Sequence, residues 1–261
     1  MKLEVIRRAS LKAETLTPLL FIHGSCHAAW CWAENFLDYF AAHGYDSYAL
    51  SLRGHGESDG KDSIRWASVK DYVADVASVA GDLRKPPVLI GHSLGGFVVQ
   101  KYLEKYDAPA AVLIASSPSS GMFFPGLSLF RQRPLLFTGI FLTMDVRRVF
   151  GTPTLVREML FSAGMEKARV EKYAARVGQE SFRAFLEMMF YLPRPRGVKS
   201  QVLVLGAAND AIVPTKAIEK TGRAYRATVK IFPDMAHDMM LEDKWEEVAA
   251  YIRQWLHAKG L

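Results

Sequence analysis

Residues 91–96 read Gly91-His92-Ser93-Leu94-Gly95-Gly96, a serine set among glycines where an apolar run gives way to helical periodicity. That spacing suits nucleophilic attack on a carbonyl. A sharp strand-to-helix turn forces its central residue into a strained conformation, and flanking glycines remove the side chains that would collide there. The hydroxyl is then held out over the sheet edge at the positive end of a helix. A serine hydroxyl is a weak nucleophile and needs a base of near-neutral pKa, so a histidine and an acid to orient it are required. Seven histidines are available, none of them between residues 116 and 197.

Such a turn has to be carried by a sheet with helices on its faces, and the hydropathy pattern describes one. Short β-prone runs alternate with stretches of helical period, the mark of βαβ units and a mostly parallel sheet. Strands are expected over residues 19–22, 45–52, 87–90, 110–115, 201–205 and 228–232, and helices over 29–42, 63–83, 94–105, 214–222 and 242–259. The alternation lapses over residues 116–197, too many for an ordinary connection. They read as an inserted, mainly helical cap on a core of residues 1–115 and 198–261. The cap holds ten of the fifteen Phe and six of the ten Met. Polarizable Met with aromatic walls suits an apolar acyl or aryl pocket, though some of these residues must simply pack the cap onto the core.

From Leu19 to the C-terminal helix the chain resembles the α/β-hydrolase superfamily. The matching residues are His23-Gly24, Arg53-Gly54-His55-Gly56-Glu57-Ser58, the Gly91–Gly96 run, Asp210 within Gly206-Ala207-Ala208-Asn209-Asp210-Ala211-Ile212-Val213-Pro214, and His237. The run His23-Gly24-Ser25-Cys26-His27-Ala28-Ala29-Trp30-Cys31-Trp32 is also similar to the plant methylesterase and hydroxynitrile-lyase branch. Lyase activity of that branch also uses a lysine, for which no position is found here. The resemblance implies an α/β-hydrolase fold: a mostly parallel central sheet flanked by helices, with an inserted, mainly helical cap. It also implies a chain order of serine, acid, histidine.

Only His237 and His257 follow a candidate acid. His257 lies in the terminal helix and reads as a surface residue, whereas His237 lies in a loop after the last strand and is the expected base. Asp210 follows a strand and precedes Pro214; it is the expected acid, because no carboxylate follows the strand at 110–115. Asp234 and Asp238 flank the histidine too closely to reach its ring easily and read as loop or helix-cap residues. A tetrahedral intermediate needs backbone N–H donors. Leu94 supplies one and the turn after His23-Gly24 the other, with Ser25 expected and Cys26 in reserve. His23, His55 and His92 read as structural.

The expected reaction is hydrolysis of a small, apolar carboxylic ester through an acyl-enzyme on Ser93. Thioester cleavage, C–C bond hydrolysis and perhydrolysis are alternatives on the same triad, and a non-catalytic ligand-binding member of the fold is a distant one. Dehalogenases and epoxide hydrolases of this fold carry an aspartate where this chain has Ser93. No cofactor and no metal are called for: Cys26 and Cys31 lie near His23 and His27, but in an expected turn, and two cysteines make no disulfide framework. A buried, inert thiol is expected at Cys26. The net charge of +6 is concentrated between residues 118 and 195, with eleven Lys/Arg against six Asp/Glu. No nucleic-acid-binding motif accompanies it, so a solvated helical surface is the first reading. A lipid-like or anionic substrate, or transient contact with an acidic membrane surface, is the sharper one. The first residues lack a secretory-signal pattern and no apolar run reaches a bilayer span, so a cytoplasmic protein is expected. Nothing in the sequence marks an oligomeric state.

Overall fold

The computed structural model describes residues 1–12 and 16–261. Seven strands, β1 (Val5–Arg8), β2 (Leu19–Ile22), β3 (Ser47–Leu50), β4 (Val88–His92), β5 (Ala110–Ile114), β6 (Gln201–Ala207) and β7 (Thr228–Phe232), form one sheet of order β1-β3-β2-β4-β5-β6-β7. All pairings are parallel except that of β1 with β3. Side chains of a strand alternate between faces, and both faces are covered. Leu19, Phe21, Val88, Ile90 and Leu203 pack under α1 (Trp30–Ala33), α2 (Phe36–Ala42) and α11 (Trp245–Ala258). Leu20, Ile22, Leu89, Leu113 and Val204 pack under α3 (Val69–Asp82), α4 (Leu94–Tyr102) and α10 (Thr215–Tyr225). Burial on both faces explains why these strands read as continuous apolar runs.

Between β5 and β6 the chain forms five helices, α5 (Phe123–Gln132), α6 (Pro134–Thr143), α7 (Pro153–Leu160), α8 (Lys167–Ala174) and α9 (Phe182–Phe190), and no strand. The mainly helical insertion is therefore as expected.

Three local expectations are corrected. Strand β1 has no counterpart in the sequence reading, because an edge strand with exposed Val5, Arg7 and Arg8 lacks the apolar run that marks an interior one. The single helix expected over 29–42 is two, broken where Asn35 leaves helical geometry at φ −142°, ψ −54°. The helix expected over 63–83 starts at Val69. Ser68 caps it there in a reciprocal box with Asp71, and a separate turn of 3₁₀ helix occupies Lys61–Trp66.

Chain order reverses direction at β2 and β4, which are neighbours in the sheet while β3 lies on the far side of β2. Ligands of open α/β sheets bind at such a switch point, beyond the carboxyl ends of the strands. There α4 starts hard against β2. A Cβ on Gly95 would lie 2.3 Å from the Ile22 carbonyl oxygen and 2.4 Å from that of His23. Neither backbone can yield cheaply. Gly95→Ala is therefore expected to lower the unfolding free energy by about 1–3 kcal/mol, measured by urea denaturation; an unchanged midpoint would show that the close approach is not required.

Candidate active site

Ser93 lies between the last residue of β4 and the first of α4, with φ 49° and ψ −116°. A non-glycine residue there costs about 1–3 kcal/mol and persists only where its surroundings over-determine it. They do so here. The Ser93 N–H donates to the Ile114 carbonyl at 3.1 Å, and its own carbonyl accepts from Phe97 and Ser117, each at 3.1 Å. Its hydroxyl does not cap α4, so it is left for other chemistry.

His237 lies five residues beyond β7 and is buried. Its Nδ1 is 2.8 Å from Asp210 Oδ2, while Asp210 Oδ1 accepts the N–H groups of Ile212 and Val213 at 2.8 and 2.9 Å. Burial alone would lower the His237 pKa, but the Asp210 carboxylate and its hydrogen bond outweigh burial and hold it above the usual histidine value. Ser25, Ser93 and His237 line one pocket. The sequence-expected serine, histidine and oxyanion turn thus converge there, with Asp210 behind the histidine.

The direction of the Ser25 N–H follows from its peptide plane. The Gly24 carbonyl accepts from His23 Nδ1 at 2.8 Å and from the His27 N–H at 3.3 Å, so the Ser25 N–H on the opposite edge of that trans peptide points away from them. His23 Nε2 in turn accepts the Leu52 N–H at 3.0 Å, which fixes the proton on Nδ1. Burial, helped by the nearby His55, keeps this ring neutral by lowering its pKa well below the usual value. A Cβ on Gly24 would come within 2.6 Å of His92 Nδ1 and 3.0 Å of Ser93 Cβ. Only glycine lets the turn lie against the Ser93 elbow. The N–H groups of Ser25 and Leu94 donate to no protein acceptor among the described residues, whereas that of Cys26 donates to Glu180 Oε2 at 3.2 Å. Cys26 is thereby removed as the reserve donor.

Two buried carboxylates support this geometry, and sequence reading missed both roles. Asp238, expected as a loop or cap residue, is fully buried with Oδ2 2.9 Å from His27 Nε2. The other ring nitrogen of His27 faces the Ser25 carbonyl at 2.8 Å. Both partners accept, so the ring carries both protons. Burial opposes that charge, but Asp238 raises His27; burial likewise opposes the Asp238 carboxylate, and His27 with His92 lowers it. His92 behaves differently. Burial and the nearby His237 push it down to about 3, and its neutral ring donates from Nε2 to the His237 carbonyl at 3.1 Å. Asp234, by contrast, is exposed and pairs with Lys244, as a loop residue should.

Glu180, between α8 and α9, is the second. Its carboxylate accepts from Cys26 N–H, from the Tyr72 hydroxyl at 2.8 Å and from the Ser181 N–H at 2.6 Å, with His55 Nε2 at 3.4 Å. Burial would raise this carboxylate, yet His55 and these donors hold it below the usual value. Two residues earlier, the Gly178 N–H donates to the Cys26 carbonyl at 2.8 Å. Cys26, at φ 62°, is thus clamped on both sides by the insertion. The His237 loop is braced from the insertion too: Asp238 N–H donates to Leu160, and Glu242 links the Ala236 N–H to Ser162. Burial also pushes the Cys26 and Cys31 thiols well up, so neither is poised as a thiolate. Glu180→Ala, which orphans three buried donors, is expected to cost about 3–5 kcal/mol in urea unfolding. Glu180→Gln should cost less, since its amide oxygen still accepts; equal losses would show that the carboxylate's bonds are not what stabilises the turn.

Comparison with known proteins agrees with this architecture. Residues 19–251 match the model of the Alpha/beta hydrolase family. The chain is 22% identical over 231 residues to a monoacylglycerol lipase of Mycolicibacterium smegmatis, covering 83% of this chain and 80% of the lipase. It is 34% identical over 120 residues to a pFDCC methylesterase of Arabidopsis thaliana, a match spanning 44% of this chain and 43% of that one. Among solved structures, a putative non-heme bromoperoxidase of Mycobacterium tuberculosis superposes with a TM-score of 0.78 at 20% identity, covering 99% of this chain and 97% of the other. With its sheet order, its elbow and this match over most of its length, the chain belongs to the alpha/beta hydrolase family.

Proposed function

We propose that this protein hydrolyses carboxylic esters with an apolar acyl or aryl part, through an acyl-enzyme on Ser93. The observation that carries the reading is the one pocket in which Ser93 and His237, the latter bonded to Asp210, face walls that are mostly apolar, including Met122, Leu129, Phe137, Phe150 and Met188. The names of the lipase and methylesterase relatives support ester bonds as the target.

In this reading His237 takes the Ser93 hydroxyl proton as the oxygen attacks the ester carbonyl. Asp210 holds the ring in the tautomer with its proton on Nδ1 and stabilises the imidazolium that forms. The Ser25 and Leu94 N–H groups receive the oxyanion, Leu94 at the positive end of α4. His237 then protonates the leaving alcohol, and water activated by the same ring releases the acid and restores Ser93. Similarity to a non-heme chloroperoxidase of Streptomyces lividans, 38% identical over 106 residues, favours one second reading, in which hydrogen peroxide replaces water in that last step.

Ser93→Ala is expected to abolish turnover of p-nitrophenyl esters and labelling by a fluorophosphonate while leaving the fold intact. Retention of more than a few per cent activity would refute the assignment. Added peroxide should partition the acyl-enzyme to a peracid only if the second reading holds. The base must be neutral to act, so activity is lost as pH falls through the raised pKa of His237. The acid limb of kcat/KM should therefore have its midpoint above about 6.5. Asp210→Asn should lower kcat by about 10⁴-fold and move that limb to lower pH. An unshifted limb would mean that Asp210 does not set the base.

A further inference from the structure

The helices that wall the pocket present apolar side chains on their other side as well. Along α5, Gly126 and Leu129 line the pocket while Phe123 and Phe124 are exposed, Phe124 by 75%. In α9, Phe185, Met188 and Met189 line the pocket while Phe190 is exposed and packs beside Phe123, with ring centres 5.9 Å apart. Helix α6 is the extreme case. Its sequence is Pro-Leu-Leu-Phe-Thr-Gly-Ile-Phe-Leu-Thr, apolar all round, yet only Phe137 and Ile140 are buried. Leu135 is 88% exposed and Leu142 78%. A helix apolar on every face belongs in a core or in lipid, and contiguous exposed patches of this kind mark interaction sites.

Charge says what covers the patch. From Ala108 to Met144 the chain contains no carboxylate, and its charged residues are Arg131 and Arg133. Arg148 lies across α6, its Nη1 3.7 Å from where a Cβ on Gly139 would stand. Arg133 pairs with Glu158, whereas neither Arg131 nor Arg148 has an ion-pair partner among the described residues. A second copy docked by two-fold symmetry would set these arginines in like fields across the interface. An anionic lipid surface neutralises them while its acyl region takes up Leu135, Leu142 and Phe124. We propose that the outer face of α5, α6 and the end of α9 docks on an anionic phospholipid bilayer, setting the pocket roof against the lipid. Use of the docked site to draw an apolar ester from the membrane rests on the ester-hydrolase reading above; the docking itself does not.

The test is co-sedimentation of the full chain, as Ser93→Ala so that no turnover alters the lipid, with vesicles of phosphatidylcholine alone or mixed with phosphatidylglycerol. Sedimentation with the anionic vesicles, weakened by salt and by omission of phosphatidylglycerol, is expected. Phe124→Ser/Leu135→Ser/Leu142→Ser should reduce binding at least about tenfold and Arg131→Gln about fivefold. With Ser93 restored, both variants should turn over p-nitrophenyl acetate like the parent. Absence of binding to anionic vesicles, or full binding by the triple variant, would overturn the proposal. So would light scattering that shows a parent dimer which the triple variant dissociates. Fluorophosphonate labelling of Ser93 is a separate readout, so failure of docking and failure of the hydrolase reading remain distinguishable.

Discussion

The backbone at Ser93 is the constraint to which the other parts are fitted. A residue at φ 49°, ψ −116° is unfavourable by itself, and it is held by a hydrogen bond to Ile114 at the end of β5 and another from Ser117 just beyond it. Those bonds need β4 and β5 in register and α4 pressed onto the sheet, which is why glycine is required where α4 meets Ile22. The same closeness decides the next loop, since Gly24 packs directly on His92 and Ser93. A parallel sheet with a switch point between β2 and β4 brings these two turns together without a long connection.

The insertion does more than roof the pocket. Through Gly178 and Glu180 it fixes both backbone groups of Cys26, and through Leu160 and Ser162 it holds the segment that carries His237. Such bonds are made by buried groups, where an unsatisfied partner is expensive. Displacement of these segments would therefore disturb the turn bearing the Ser25 N–H and the loop bearing the histidine, coupling cover and chemistry in one structure.

Within a few ångströms three histidines are held differently by their surroundings. His92 has no carboxylate hydrogen bond and is surrounded by other rings, so burial keeps it neutral. His27 meets two acceptors, one of them the buried Asp238 carboxylate, which raises its pKa. His237 shares Asp210 and is raised, but its raised pKa still leaves a neutral ring available above it. The net result is one ring raised by Asp210, set between a second ring raised by Asp238 and a third that burial lowers.

What could be read from the sequence was whatever depends on neighbours along the chain. The strand–turn–helix around Ser93 is local: glycine spacing and the change of hydropathy period carry it. The alternation of strands and helices, and its lapse over the insertion, are local in the same sense, and Asp210 and His237 followed from the chain order that the resemblance to the α/β-hydrolase superfamily implies. Edge strand β1 escaped because its side chains face solvent, and the break at Asn35 because the apolar spacing runs through it unchanged. Asp238 stood in view beside His237, yet its meaning depends on His27, 211 residues away. Glu180 likewise takes its meaning from Tyr72 and Cys26, at separations of 108 and 154. Burial and long-range pairing set the charge of these groups and the aim of the Ser25 N–H, and both are properties of packed surfaces rather than of spacing. The sequence by itself determined the elbow, the sheet and the candidate serine, acid and histidine. Only the tertiary structure decided which carboxylates steady them, which histidine is charged, and which apolar residues of the insertion face the pocket and which face outward.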